Sequence, residues 1–110
     1  MINFKGDKIM LRIKLFCASG MSTSVLVNKM KDAAKKKGLE VDISAYPESQ
    51  MDKYLDSMDV ALLGPQVGYR LGNAKKLCEP KNIPVEVIPM VDYGMMNGAK
   101  VLELAEKLAK

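Results

Sequence analysis

Met10-Leu11-Arg12-Ile13-Lys14-Leu15-Phe16-Cys17-Ala18-Ser19-Gly20-Met21-Ser22-Thr23-Ser24-Val25 changes character twice within a few residues. Met10 to Phe16 is rich in strand-forming apolar residues and reads as a β-strand. Cys17 closes that run. Small and hydroxyl residues with one glycine follow, and a helical pattern then runs from Ser22 to Lys37, stopped by Gly38. Val25, Leu26, Met30, Ala33 and Ala34 are expected on its inner face. A strand, a short loop and a helix in this order make the first half of a βαβ unit, which needs a parallel sheet.

The rest of the chain repeats the alternation. Leu39 to Tyr46 reads as a second strand ended by Pro47. Glu48 to Met58 has apolar residues at helical spacing. Val60-Ala61-Leu62-Leu63 reads as a third strand, turned by Gly64-Pro65. Gln66 to Glu79 reads as a helix stopped at Pro80, and Pro84 to Ile88 as a fourth strand. Asn97 is the expected N-cap of a last helix that turns Val101, Leu104, Ala105 and Leu108 inward. The expectation is an α/β three-layer sandwich, a four-stranded parallel sheet with helices on both faces.

Strand 3 is apolar throughout, as a strand covered on both sides should be, while strands 2 and 4 alternate as edge strands do. Order 2-1-3-4 satisfies both patterns. Arg12 and Lys14 sit awkwardly in a strand placed at the centre. With this order the chain reverses between strands 1 and 3. Ligands of open α/β sheets bind at that switch point, outside the carboxyl ends of the strands. Cys17 and Gly64-Pro65-Gln66 would meet there.

Cys17 is therefore the candidate nucleophile. Amides at a helix N-terminus favour an anion, lower the pKa of a thiol and can hold the oxygens of a phosphoryl group. Cysteines are more often small buried hydrophobes, and that reading fits Cys78, which shares a helical stripe with Val67, Leu71 and Ala74. Ser22, Thr23 and Ser24 could cap the helix and bind phosphate with the same exposed groups. Gly20 suits a close backbone approach. Phosphatases of the Cys-x5-Arg type clamp phosphate with an arginine, but Thr23 stands at that position. No acidic residue in the loop could activate water. Such a site suits a carrier that hands its phosphoryl group on.

Composition narrows the classes further. The 110 residues are 48% hydrophobic and 27% charged, in keeping with one globular domain, Ile9 to Lys110, behind a polar extension, Met1 to Lys8. No apolar run is long enough for a membrane span and no signal peptide is evident, so a cytoplasmic protein is expected. Two distant cysteines and no histidine give neither a disulfide framework nor a metal site, and no cofactor is expected. A Cys–His pair within the chain is excluded; if phosphate reaches Cys17 from a phosphohistidine, that histidine belongs to another protein. The net charge of +4 gathers in Lys29, Lys31, Lys35, Lys36 and Lys37. These read as a solvated helix face. No basic–aromatic interleaving points to nucleic acid.

Phe16-Cys17-Ala18-Ser19-Gly20-Met21-Ser22-Thr23-Ser24 and Leu26 to Met30 resemble the enzyme IIB component of the lactose/cellobiose/chitobiose branch of the bacterial sugar phosphotransferase system. The likeness continues through Ala45-Tyr46-Pro47-Glu48, Leu63-Gly64-Pro65-Gln66-Val67 and Asp92-Tyr93-Gly94-Met95-Met96. It implies an architecture close to the low-molecular-weight tyrosine phosphatases. It also implies a relay: phosphate passes from a phosphohistidine of enzyme IIA to Cys17, then to a sugar held by the membrane permease, enzyme IIC. Ala18, Ser19, Gly20, Met21, Ser22, Thr23 and Ser24 would bind the phosphoryl oxygens. Pro65, Gln66 and Tyr93 would form the site rim or partner surface, and no metal is required. Gly68 stands where similar proteins often have arginine, with Arg70 two residues later, and Asn97 stands where aspartate is common.

Overall fold

The computed structural model describes residues 10–18 and 24–109. The expected polar extension and the loop residues Ser19 to Thr23 lie outside them. Strand β1 (Leu11–Cys17) is followed by α1 (Ser24–Lys37), β2 (Val41–Pro47) and β3 (Val60–Leu63). Helix α2 (Leu71–Cys78), β4 (Val85–Val87), α3 (Met90–Gly94) and α4 (Gly98–Ala109) complete the order. The four strands form one parallel sheet in the order β2-β1-β3-β4.

Each face of the sheet carries its own core. Ile13 and Leu15 of β1 point toward α1 and α4, where Leu26, Val27, Met30, Ala34, Val101, Leu102 and Ala105 cover them. Phe16 points the other way, among Met51, Met58, Leu63, Val67, Ala74 and Cys78. This alternation is the pleat of a central strand expressed as two cores. All four residues of β3 are buried, as expected of a strand covered on both faces.

The two basic residues of β1 find specific partners. Lys14 is only 5% exposed. Its ammonium donates to Ser44 Oγ at 3.3 Å and lies 5.4 Å and 5.8 Å from the ring centres of Tyr46 and Tyr54, which stack at 3.9 Å. The long apolar stem packs while the aromatic faces attract the cation. Arg12 reaches around Asp59: its backbone N–H and Nε donate to Oδ2, and its terminal nitrogen to Oδ1 at 3.0 Å. Burial pushes the Asp59 carboxyl up, but the hydrogen bonds and charge of Arg12 pull it below its ordinary value.

Several expectations shift in detail. Val25 is half exposed and Val27 takes its place inside. Val25 lies on the outer side of the first helical turn, just ahead of the stripe that begins at Leu26. The stretch from Glu48 forms a 3-10 helix only as far as Tyr54. The helix expected from Gln66 to Glu79 is broken. A 3-10 helix, Pro65–Arg70, precedes α2, and Val67 leaves helical geometry at φ −114° and ψ 22°. Pro80 does not stop the chain. It occupies the first turn of a further 3-10 turn, Glu79–Lys81, where its missing N–H costs nothing. Helix α3 adds to the expected elements. In α4, Leu102 is fully buried while Leu104 and Leu108 are only half buried.

Gly38 ends α1 with φ +70°, the left-handed conformation that favours glycine. The five lysines and one aspartate of α1 account for the whole net charge of +4, so the rest of the chain balances. All five lysines are exposed, and Lys37 pairs with Glu106 of α4.

Candidate active site

The C-terminal end of β1 is enclosed from both sides by its neighbours. Cys17 is the last residue of the strand, in register with Pro47 of β2. Phe16 is in register with Tyr46 on one side and Leu63 on the other. The N–H of Gly64 donates to the Phe16 carbonyl at 2.8 Å, which carries the parallel ladder one residue beyond β3. Beyond that point the chains from β1 and β3 leave for opposite faces of the sheet, α1 on one side and α2 on the other. This is the switch point, and Cys17 sits in it.

Gly64 lies close beside Cys17. A β-carbon on Gly64 would stand 3.4 Å from Cys17 Cβ and 3.1 Å from Gln66 Oε1. Cys17 itself is buried, while the next residue, Ala18, is exposed. Ser24, the other anchor of the loop, is the first residue of α1 and is exposed. The remaining loop candidates, Ser19, Gly20, Met21, Ser22 and Thr23, lie outside the described residues.

The three expected rim residues come together. Pro65, Gln66 and Tyr93 line a cleft of about 340 Å³ with Met90 and Gly94. Tyr93 is buried, Pro65 half-buried and Gln66 exposed. Around the cleft, Met90 is 73% exposed, Val91 69% and Met95 73%. These three exposed apolar side chains lie in or next to α3. Met90 and Gly94 belong to α3, a short helix that begins directly after Pro89.

On the other side of the site, Arg70 Nε donates to Glu48 Oε2 at 3.1 Å. Glu48 follows β2 and Arg70 lies beyond β3, so this ion pair ties together the segments that flank the end of β1. Arg70 thus braces the segments that flank the strand end.

Cys78 behaves as the core residue expected. It is buried on α2, with Sγ 3.8 Å from the thioether sulfur of Met51. Burial pushes its thiol pKa up, which keeps the sulfur protonated and unreactive. Among the described residues no helix is long and apolar enough to cross a membrane.

Comparison with known proteins decides the family. The family described as the lactose/cellobiose-specific IIB subunit of the PTS matches residues 12–104. The chain belongs to this family. It is 46% identical over 107 residues to the galactose-specific EIIB component of the PTS of Lactococcus lactis subsp. cremoris, covering 93% of this chain and 96% of that protein. The cellobiose-specific EIIB component of Lactococcus lactis subsp. lactis matches with the same identity and coverage. The solution structure of the cellobiose-specific IIB component from Borrelia burgdorferi superimposes with a TM-score of 0.75 at 40% identity, covering 90% of this chain and 91% of that one. The parallel sheet and its strand order are thus those of PTS IIB domains, and sugar phosphotransferase activity is what such relatives imply.

Proposed function

We propose that this IIB subunit carries phosphate as a phosphocysteine on Cys17. The observation that supports this reading most strongly is the place of Cys17: the last residue of an inner strand, at the switch point, with Gly64 close beside it. The thiolate attacks the phosphorus of a phosphohistidine on enzyme IIA. The S–P bond forms as the N–P bond breaks, and the imidazole leaves. In the second step a hydroxyl of the sugar, held by membrane enzyme IIC, attacks the phosphorus. The O–P bond forms, the S–P bond breaks, and the thiolate is restored. The hydroxyl proton passes to a base outside this chain, which has no histidine.

In this reading the loop from Ala18 to Ser24 holds the phosphoryl oxygens with its amides and hydroxyls. The energetic work is positioning and neutralisation of charge, as in other phosphoryl transfers. The apolar border of Pro65, Tyr93, Met90 and Met95 receives the partners in turn. Methionine suits that task because its unbranched, polarisable side chain repacks against different surfaces. The subunit works in the cytoplasm and meets the membrane through enzyme IIC, and residues 9–110 act as one domain. A phosphatase reading gains no observation. Thr23 stands where its arginine would be, and Arg12 and Arg70 are engaged with Asp59 and Glu48.

The sugar is of the cellobiose, chitobiose or lactose type. Two relatives equally similar to this chain are named for different sugars, galactose and cellobiose, so the choice lies outside the features they share with it.

The test is peptide mass spectrometry after incubation with phosphoenolpyruvate, the general phosphotransferase proteins and an enzyme IIA of the cellobiose type. One phosphoryl group on the Cys17 peptide, absent from Cys17→Ser, is the expected result. Phosphate on another residue, or none with any enzyme IIA of this branch, overturns the relay.

A further inference from the structure

The loop between Cys17 and Ser24 has two anchors, and α1 holds the second. Helix α4 packs against α1 in the same core. Gly98, the first residue of α4, is buried against the backbone of Lys29. A β-carbon on Gly98 would stand 2.6 Å from both the Cβ and the carbonyl oxygen of Lys29 and would overlap its carbonyl carbon. Backbone atoms cannot rotate away as the tip of a side chain can. No other described glycine is so tightly opposed.

The corner that presents Gly98 is itself well tied. Met96 takes a left-handed φ of 51°. The N–H of Asn97 donates to the Asp92 carbonyl at 2.9 Å, and that of Gly98 to the Met96 carbonyl at 2.9 Å. Asn97 Oδ1 accepts from the Lys100 N–H at 3.2 Å and caps α4. Asp92 and Tyr93 belong to α3, whose Tyr93 lines the cleft of the site. Lys29 is the sixth residue of α1, so the seat lies about 7.5 Å along the axis from the helix start.

We infer that Gly98 is a positioning residue for phosphotransfer: its missing side chain lets α1 seat directly on the α3–α4 corner, which sets the distance of Ser24 from Cys17. The inference rests on the phosphocysteine reading above. An added methyl group must force α1 and the α3–α4 corner apart, and any shift of α1 moves one anchor of the loop. Transfer between a donor and a held acceptor is sensitive to shifts of this size, since a displacement of about 1 Å can cost about a hundredfold in rate.

The experiment compares Gly98→Ala with Val101→Ala in steady-state transfer from phosphorylated enzyme IIA, alongside thermal unfolding of both. Val101 is buried one turn further along α4, and its truncation destabilises through a cavity without a new contact on α1. Gly98→Ala is expected to lower kcat at least about tenfold while KM for the donor stays within about twofold. Val101→Ala, at comparable loss of stability, keeps both constants within about twofold of the parent. Equal kcat losses in the two variants, or a folded Gly98→Ala with the parent's kcat, overturn the inference. Should Gly98→Ala not fold, Asn97→Ala loosens the same corner from the exposed side. A fall in its kcat beyond about twofold at constant KM supports the inference, and an unchanged kcat overturns it. If the parent takes no phosphate on Cys17, the relay reading has failed, and the seat of α1 is untouched by that result.

Discussion

Cys17 and Cys78 are equally buried thiols in adjoining parts of one small protein, yet their surroundings differ in kind. Cys78 lies on the inner face of a helix among Met51, Ala74 and Ile83, with a thioether as its nearest polar contact. Burial raises its pKa, and nothing in that core would accept the charge of a thiolate. Cys17 ends a strand where the chains turn to opposite faces, between Pro47 and the closely packed Gly64. Burial alone therefore does not distinguish the two thiols. What separates them is whether the backbone around the sulfur stops or continues.

The largest test of that contrast is removal of each sulfur. Cys17→Ser is expected to abolish phosphorylation by enzyme IIA and to leave the fold intact, since serine is close to isosteric with cysteine. Cys78→Ala is expected to keep the transfer rate within about twofold while lowering stability by about 1 kcal/mol for the atom removed from a packed core. Label incorporation and chemical denaturation of the two proteins check both halves. Loss of transfer in Cys78→Ala at retained stability would erase the distinction.

A second test sharpens it through pH. The folded pKa of Cys78 lies above the unfolded value of about 8.5. Below that value the thiol is neutral in both states, and its contribution is fully present. As pH rises past it, the unfolded chain ionises first and binds fewer protons, so stability falls until the folded thiol titrates as well. Cys78→Ala should flatten this alkaline decline relative to the parent. Cys78→Ser, which buries a hydroxyl beside a thioether, should cost about 1–3 kcal/mol at neutral pH and also flatten it. Unfolding midpoints measured from pH 7 to pH 10 (roughly the range where thiols titrate) decide the matter.

Much of this contrast is legible in the residues themselves. The strand order follows from Val60 to Leu63 being apolar throughout while β2 and β4 alternate. The core role of Cys78 follows from its spacing with Val67 and Ala74. Other features depend on partners distant in sequence. Lys14 reads as out of place in a central strand until Ser44, Tyr46 and Tyr54 are seen around it, 30 to 40 residues away. Glycine is informative only when its neighbour is known: Gly98 looks like any helix-initiating residue until Lys29 is packed against it. The exchange of Val25 for Val27 shows how little a first helical turn constrains its own rotation. Helix α3 is too short for a periodic signal, and a pattern of apolar spacing cannot distinguish a 3-10 turn such as Pro65–Arg70 from an α-helix.

The smallest expected effect comes from the far end of β1, where the strand begins and no chemistry is proposed. Arg12 and Asp59 form a two-pronged ion pair whose side chains are each about two-fifths exposed. Solvent screens such a pair, so Asp59→Asn should cost no more than about 1 kcal/mol at pH 7. Its signature is the pH dependence. The folded pKa of Asp59 lies below its ordinary value, held there by Arg12 against the effect of burial. The pair therefore stabilises the fold above the unfolded carboxylate range, and that contribution fades as pH falls through the folded pKa. Asp59→Asn should make the acid limb of the stability profile shallower while phosphate loading of Cys17 stays unchanged. A loss of loading in this variant would mean that tension at one end of β1 is transmitted to the other, and the strand would then have to be treated as part of the site along its whole length.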